Sequence, residues 1–319
     1  MIEGVAPEGT TTRYEDGILY YDEVMILTFF FSYVVHPGNR NPDHRFLLID
    51  GQFYITGMFA IWERVCAAAR YGAARGYRPA FMIVSADSSM YSDYPGDDIW
   101  NKFFLQPGDY SIQEVLESSY VALSPNTFLV KNVLRRILDE ACAGQELVWP
   151  RGMFNEQVKD YIRSRQERFL PCPQRTLGVL VRGTDYIHNP FPNHPRQADP
   201  EQVIRKITEV EKEWEFDRIF LSTEDADVCL RMKEAYGDRI SFTDQERYRV
   251  RPGQVLVQLH QEKKPGEGFR LGVEYLCTLN LLSQCRSLIA SGGCCGLTEV
   301  LRENEGRYEH VFVFELGCS

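Results

Sequence analysis

The sequence predicts an α/β protein made of two doubly wound, Rossmann-like domains facing a cleft, and three observations carry that expectation. Short apolar runs alternate with helix-period segments in the order strand, helix, strand, the pattern of a mainly parallel sheet. The 319 residues are long for one domain and enough for two cores. A Pro-rich stretch, LPCPQR at 170–175, interrupts the alternation and sets the expected boundary, with one domain at 1–170 and a second at 171–319.

In the first half, the lipophilic run VMILTFFFSYVV (24–35) has 12 residues, many of them β-branched or aromatic. It is too short to cross a bilayer as a helix and reads as a buried strand. The turn cluster HPGNRNPDHR (36–45) follows, and HRFLLIDGQFYITG (44–57) gives one or two strands. MFAIWERVCAAARYGAARG (58–76) is a helix with apolar residues at helical spacing and Gly76 at its end, and RPAFMIVSAD (78–87) is the next strand. The loop-rich segment at 88–111 sets Tyr, Trp and Phe among Asp and Gly, aromatics that either anchor the loop or hold a sugar. Helices around 126–143 and 154–168 complete this half.

The second half alternates more clearly. LGVLVR (177–182) is a strand, and PEQVIRKITEVEKEW (200–214) is a helix with Val203, Ile204, Ile207, Val210 and Trp214 along one face. DRIFLST (217–223), DVCLRMKEAYG (227–237), RISFTD (239–244), LGVEYLCTLNLLSQC (271–285), SLIAS (287–291), LTEVLREN (297–304) and HVFVFEL (310–316) continue the alternation.

Composition narrows the function. With 35 basic and 45 acidic residues the net charge is -10, which argues against a broad nucleic-acid surface and leaves room for a small anion in a local basic pocket. The nine cysteines are dispersed and never spaced C-x-x-C, as expected of reduced thiols in a cytoplasmic protein. The opening MIEGVAPEGTTTRYEDG is polar and resembles no secretory signal, and no transmembrane segment is expected. Cys294 and Cys295, set among Gly292, Gly293 and Gly296, read as small residues at a tight turn, because ligand partners at metal spacing are missing nearby.

Ligands of open parallel sheets bind beyond the carboxyl ends of the strands, where helix N-termini point inward. Three strand ends carry polar sequence there. Arg182-Gly183-Thr184-Asp185 offers a permanent charge with a fork of donors and a glycine that admits a ligand to the backbone; a structural Arg182–Asp185 pair is the alternative. Ser222-Thr223-Glu224-Asp225 offers carboxylates for a base or a ribose, or else the N-cap and first-turn acids of the next helix. Ser291-Gly292-Gly293-Cys294-Cys295-Gly296 precedes a helix and can expose N–H groups to a phosphate, yet it matches neither G-x-G-x-x-G nor a P-loop.

In order, VLVRGTD (179–185), FLSTED (220–225) and LLSQCRSLIAS (281–291), with the pair His194-Pro195, resemble the motifs of the GDP-fucose-dependent fucosyltransferase superfamily. That superfamily includes the α-1,6-fucosyltransferases, the rhizobial chitin-oligosaccharide fucosyltransferases and the protein O-fucosyltransferases. DDIWNKFFLQP (97–107) is similar to a segment of bacterial glycosyltransferases, so the likeness covers residues 46–316. The resemblance implies a B-type glycosyltransferase of polysaccharide biosynthesis, moving a sugar from a GDP-sugar donor to a carbohydrate acceptor with inversion and without metal or other cofactor. It assigns Arg182, Asp185 and His194 to catalysis. Donor binding falls to Arg182, Gly183, Thr223, Glu224, Asp225, Ser291, Gly292, Gly293 and Cys294. Leu180 stands where the family motif has His, and Gly183 where it has a second Arg, so a nucleotide- or sugar-binding protein without catalysis is the competing expectation.

Overall fold

The computed structural model describes residues 13–15, 18–20, 33–53, 57–85, 90–125, 153–188, 195–251, 253–254, 256, 266–293 and 295–318. They form two compact units. The first comprises residues 1–53, 61–84 and 105–153, and the second residues 54–60, 85–104 and 154–319.

In the first unit β1 (Arg13–Glu15) and β2 (Ile18–Tyr20) make an antiparallel ribbon. β3 (Tyr33–Val35), β4 (Phe46–Phe53), β5 (Arg78–Ser85) and β6 (Val121–Pro125) form a sheet of order β3-β6-β4-β5, with β3 antiparallel and β4 parallel to β6. Phe46, Leu47, Leu48 and Ile49 are all buried, as an unbroken apolar run requires when both faces of a strand are covered. α1 (Met58–Ala73) leads from β4 to β5; it stops where Gly76 takes φ 76° and Tyr77 N–H reaches back to Gly72 O. The lipophilic run at 24–35 is only partly as expected. Its described end is strand β3, but Val34 and Val35 are 38% and 37% exposed at the sheet edge, and residues 24–32 lie outside the described residues. So does the helix expected around 126–143.

The second unit holds a five-stranded sheet: β7 (Thr176–Leu180), β8 (Arg218–Ser222), β9 (Ile240–Ser241), β10 (Ser287–Ser291) and β11 (His310–Phe314). Its order is β11-β10-β7-β8-β9 and every pairing is parallel. The chain starts at the central strand, builds outward through β8 and β9, then returns to build outward through β10 and β11. This is doubly wound topology, with its switch point between β7 and β10. Every residue of β7 and β10 is buried, which explains why neither alternates in hydropathy. RISFTD yields only the two-residue β9.

The helices around this sheet have legible ends. α2 (Ile99–Phe103) is short, as is α3 (Ile112–Leu116), which belongs to the first unit, and α4 (Glu156–Phe169) is capped by Asn155. After α5 (Asp185–His188) comes α6 (Pro200–Trp214), with Asp199 and Gln202 in a capping box, Pro200 in the first turn and Val203, Ile207, Val210 and Trp214 buried. α7 (Ala226–Tyr236), α8 (Glu267–Ser283) and α9 (Cys295–Asn304) complete the set. Among the described residues, no helix is long and apolar enough to cross a membrane.

Residues 85–104 and 154–170, which the sequence groups with the first domain, lie in the second unit. Two glycines one turn apart on α8 explain the first of these. A Cβ on Gly268 would sit 2.5 Å from the Ser92 backbone, and one on Gly272 would sit 2.3 Å from the Phe103 ring. Asp93 accepts from the Gly266 and Gly268 N–H groups, and Phe103 stacks on Phe269 at 5.5 Å. Hence the aromatics of this loop are mostly anchors: Tyr91, Trp100, Phe103 and Phe104 are buried, whereas Tyr94 is 65% exposed.

Candidate functional site

The site grows from the carboxyl end of β7. Two residues beyond the Leu180↔Ser222 pair, the register brings Arg182 alongside Glu224; two beyond Leu180↔Ala290, it brings Arg182 alongside Gly292. All three expected strand ends therefore meet at the switch point. Arg182 lies in the middle of that row.

Arg182 is held on two sides. Its Nε lies 3.1 Å from Glu224 Oε1, and its Cζ lies 4.3 Å from the centroid of the Tyr186 ring. The Arg182 side chain is 21% exposed and that of Glu224 9%, so a partly exposed charge is held by a nearly buried carboxylate and an aromatic face. Asp185 does not fill the partner role considered for it. The carboxylate that closes on Arg182 is Glu224, and Asp185 Oδ1 instead accepts from Thr184 Oγ1 at 2.9 Å.

Thr184 bends the chain out of the strand. It is wholly buried at φ 47°, a conformation that costs a β-branched residue about 1–2 kcal/mol. Hydrogen bonds offset this: its N–H donates to Asp225 Oδ2 at 2.6 Å, and its Oγ1 lies 3.1 Å from Glu224 Oε1. Gly183 donates its N–H to the same Glu224 oxygen at 3.1 Å. A Cβ there would approach Asp225 Cβ to 2.4 Å, so this position admits only glycine unless the turn moves.

At the end of β8 the local reading of S-T-E-D is the one observed. Asp225 is the N-cap of α7, its Oδ1 accepting from the N–H groups of Asp227 and Val228. Thr223 Oγ1 accepts from Asp225 N–H at 3.2 Å. At the end of β10, Ser291 Oγ accepts from Ala198 N–H, and the Gly292 N–H goes to Phe314 O on β11. The Gly292 amide is thus committed to the sheet, and Gly293, exposed at φ 82°, is the first residue past it. Gly293 packs on Pro195, and Gln197 Nε2 reaches Gly292 O at 3.1 Å. The N-terminus of α9 follows, its positive end at the same edge of the sheet. His194 and Cys294 lie outside the described residues.

Sequence reasoning missed three neighbours of this row. Tyr186 is an aromatic close to Arg182 in sequence, and the turn at Thr184 brings it back over the guanidinium. Gln197 and Tyr91 left no local signal. Tyr91 arrives on the 85–104 segment and is buried; burial pushes its hydroxyl up to about 12, with the nearby Arg182 charge opposing and Glu224 adding to the shift. Among the described residues no cluster of three or more His, Cys, Asp or Glu is gathered to hold a metal ion, and Cys172, Cys229, Cys277, Cys285 and Cys318 carry free thiols.

Solved structures similar to this chain include fucosyltransferases. NodZ from Bradyrhizobium is 12% identical, with a TM-score of 0.48 over 85% of this chain and 95% of that one. POFUT1 in complex with GDP is 9% identical, with a TM-score of 0.45 over 86% of this chain and 100% of that one. A variant of Arabidopsis thaliana FUT1 in complex with GDP is 10% identical, with a TM-score of 0.43 over 86% and 72%. No family model matches the chain, and no curated protein matches it by sequence. At these identities and scores the likeness assigns no residue and no reaction, and the functional argument rests on the site itself.

Proposed function

We propose that this chain is a glycosyltransferase that takes a sugar from a nucleoside diphosphate, GDP-fucose by the motif resemblance, to a carbohydrate hydroxyl with inversion. The observation that carries the reading is Arg182: a guanidinium fixed by Glu224 and Tyr186, partly open, at the switch point of a doubly wound parallel sheet. Charge grows on the diphosphate as the glycosidic bond breaks, and a preorganised cation there stabilises the transition state more than the ground state. Arg182 and the N-terminal turn of α9 supply that positive potential, so no metal is required. Asp185 and His194 are the candidate bases toward the acceptor hydroxyl, with the oxocarbenium-like character of the departing sugar leaving little work for a base.

The experiment is incubation of purified protein with GDP-fucose in EDTA. Slow release of GDP is the expected result. Loss of that release in EDTA with recovery on Mg²⁺ would refute the metal-independent part, and no release under any condition would refute the enzyme reading.

A second reading, a binding protein without catalysis, has one observation in its favour. Gly183 stands at the position of the motif's second Arg and is packed against Asp225, so the turn is shaped around a missing side chain. Binding of GDP-fucose with no turnover in any acceptor mixture would support it.

A further inference from the structure

We propose that Glu224 is a positioning residue for Arg182, and that base selection at this site lies outside Glu224 and Asp225. The proposal rests on the reading that Arg182 meets a diphosphate, and it departs from the role that the motif resemblance gives these two acids. A carboxylate that identifies guanine through two adjacent N–H groups of the base offers both of its oxygens. Neither acid has both oxygens uncommitted. Glu224 Oε1 accepts from Gly183 N–H at 3.1 Å and pairs by charge with Arg182 Nε at 3.1 Å, and the Thr184 hydroxyl, whose one proton is shared with Asp185 Oδ1, lies 3.1 Å away. Asp225 has Oδ1 in the cap of α7 and Oδ2 on Thr184 N–H. The two residues are 7% and 4% exposed.

What they do instead follows from where their donors lie. The groups that face Glu224 belong to three consecutive residues of the turn after β7, and the Asp225 bond falls on the third of them. The pair therefore fixes both the backbone that carries Arg182 and the guanidinium itself. A guanidinium held in advance loses less freedom when an anion arrives, which favours diphosphate whatever base is attached.

The test is calorimetric binding of pyrophosphate, GDP and UDP to the full chain and to Glu224→Gln and Asp225→Asn. Glu224→Gln retains a carbonyl acceptor for Gly183 but loses the charge facing Arg182. Its affinity for all three probes should fall together by about tenfold, with the GDP-to-UDP ratio within about twofold of the parent, as expected when one charge-assisted contact is lost. Asp225→Asn should leave that ratio unchanged. A ratio that collapses toward one in either variant while pyrophosphate affinity holds would overturn the proposal, because the acid would then be reading the base. Should the parent bind none of the three probes, the nucleotide-sugar reading fails by itself, and hydrogen exchange decides the positioning role. Glu224→Ala, with Glu224→Gln as the folded control, should speed exchange of the Gly183 amide relative to the sheet amides, and unchanged exchange would overturn the proposal.

Discussion

The strand ends on either side of the switch point are built differently. Past β7 and β8 the turn is held by charged and polar side chains: Thr184 bonds to Glu224 and Asp225, and Arg182 joins them through its ion pair with Glu224. Past β10 it is held by the backbone, with Gly292 bonded to β11 and Gly293 pressed on Pro195. One side presents a fixed charge, whereas on the other the Gly292 amide is spent on β11 and Pro195 covers Gly293. The comparison teaches that acidic residues next to a candidate site can belong to its scaffold.

The largest expected effect breaks the charged side alone. Arg182→Ala should lose about 2–4 kcal/mol of transition-state stabilisation, read as kcat/KM for release of GDP, as when a preorganised donor to a developing charge is removed. Stability should fall much less, because Glu224 keeps the Gly183 and Thr184 donors. Full activity in the variant would return Arg182 to a structural role.

Next in size are the two glycines, which place the two sides in direct contrast. Gly183→Ala forces a Cβ onto Asp225 and should cost about 1–3 kcal/mol by denaturant titration, the range for overpacking a filled site. Gly293→Ala meets both a positive φ and Pro195, and about 1–2 kcal/mol is expected from the conformation alone. If Gly183→Ala proved neutral, the shape of the turn would be looser than its hydrogen bonds imply. Asp225→Ala removes a helix cap, and the expected loss is about 0.5–2 kcal/mol, measured in the same titration.

The smallest effect is alkaline. Burial raises both the Tyr91 hydroxyl and the Cys277 thiol to about 12, so each favours its protonated form in the folded protein. Their contribution is whole below the unfolded values and is lost as pH climbs, from about 9 for Cys277 and about 10 for Tyr91 toward 12. Cys277→Ser should flatten the first part of that decline, and Tyr91→Phe the second. A decline unchanged in both variants would mean that other groups govern it.

Much of the second unit was legible residue by residue. The capping pair Asp199 and Gln202, with Pro200 between them, set the start of α6, and its apolar face was legible because helix periodicity is local: four of its five residues are buried and Ile204 packs against them. Strands β7, β8 and β10 announced themselves as short apolar runs, and Arg182 stood out as a charge where burial ends. The short β9 was overestimated, since RISFTD carries strand propensity beyond the length that β8 pairs with.

By itself, then, the sequence determined the elements of the second unit, their alternation and the three polar strand ends, because propensity, caps and hydropathy act within a few residues. Tertiary structure alone decided which acid holds Arg182, that Asp225 caps a helix while bonding Thr184, and that Tyr91 joins the row. It also decided that residues 85–104 belong to the second unit, through Gly268 and Gly272 on α8. Those outcomes depend on register between strands and on close approach between segments distant in the chain. Neither leaves a periodicity to read.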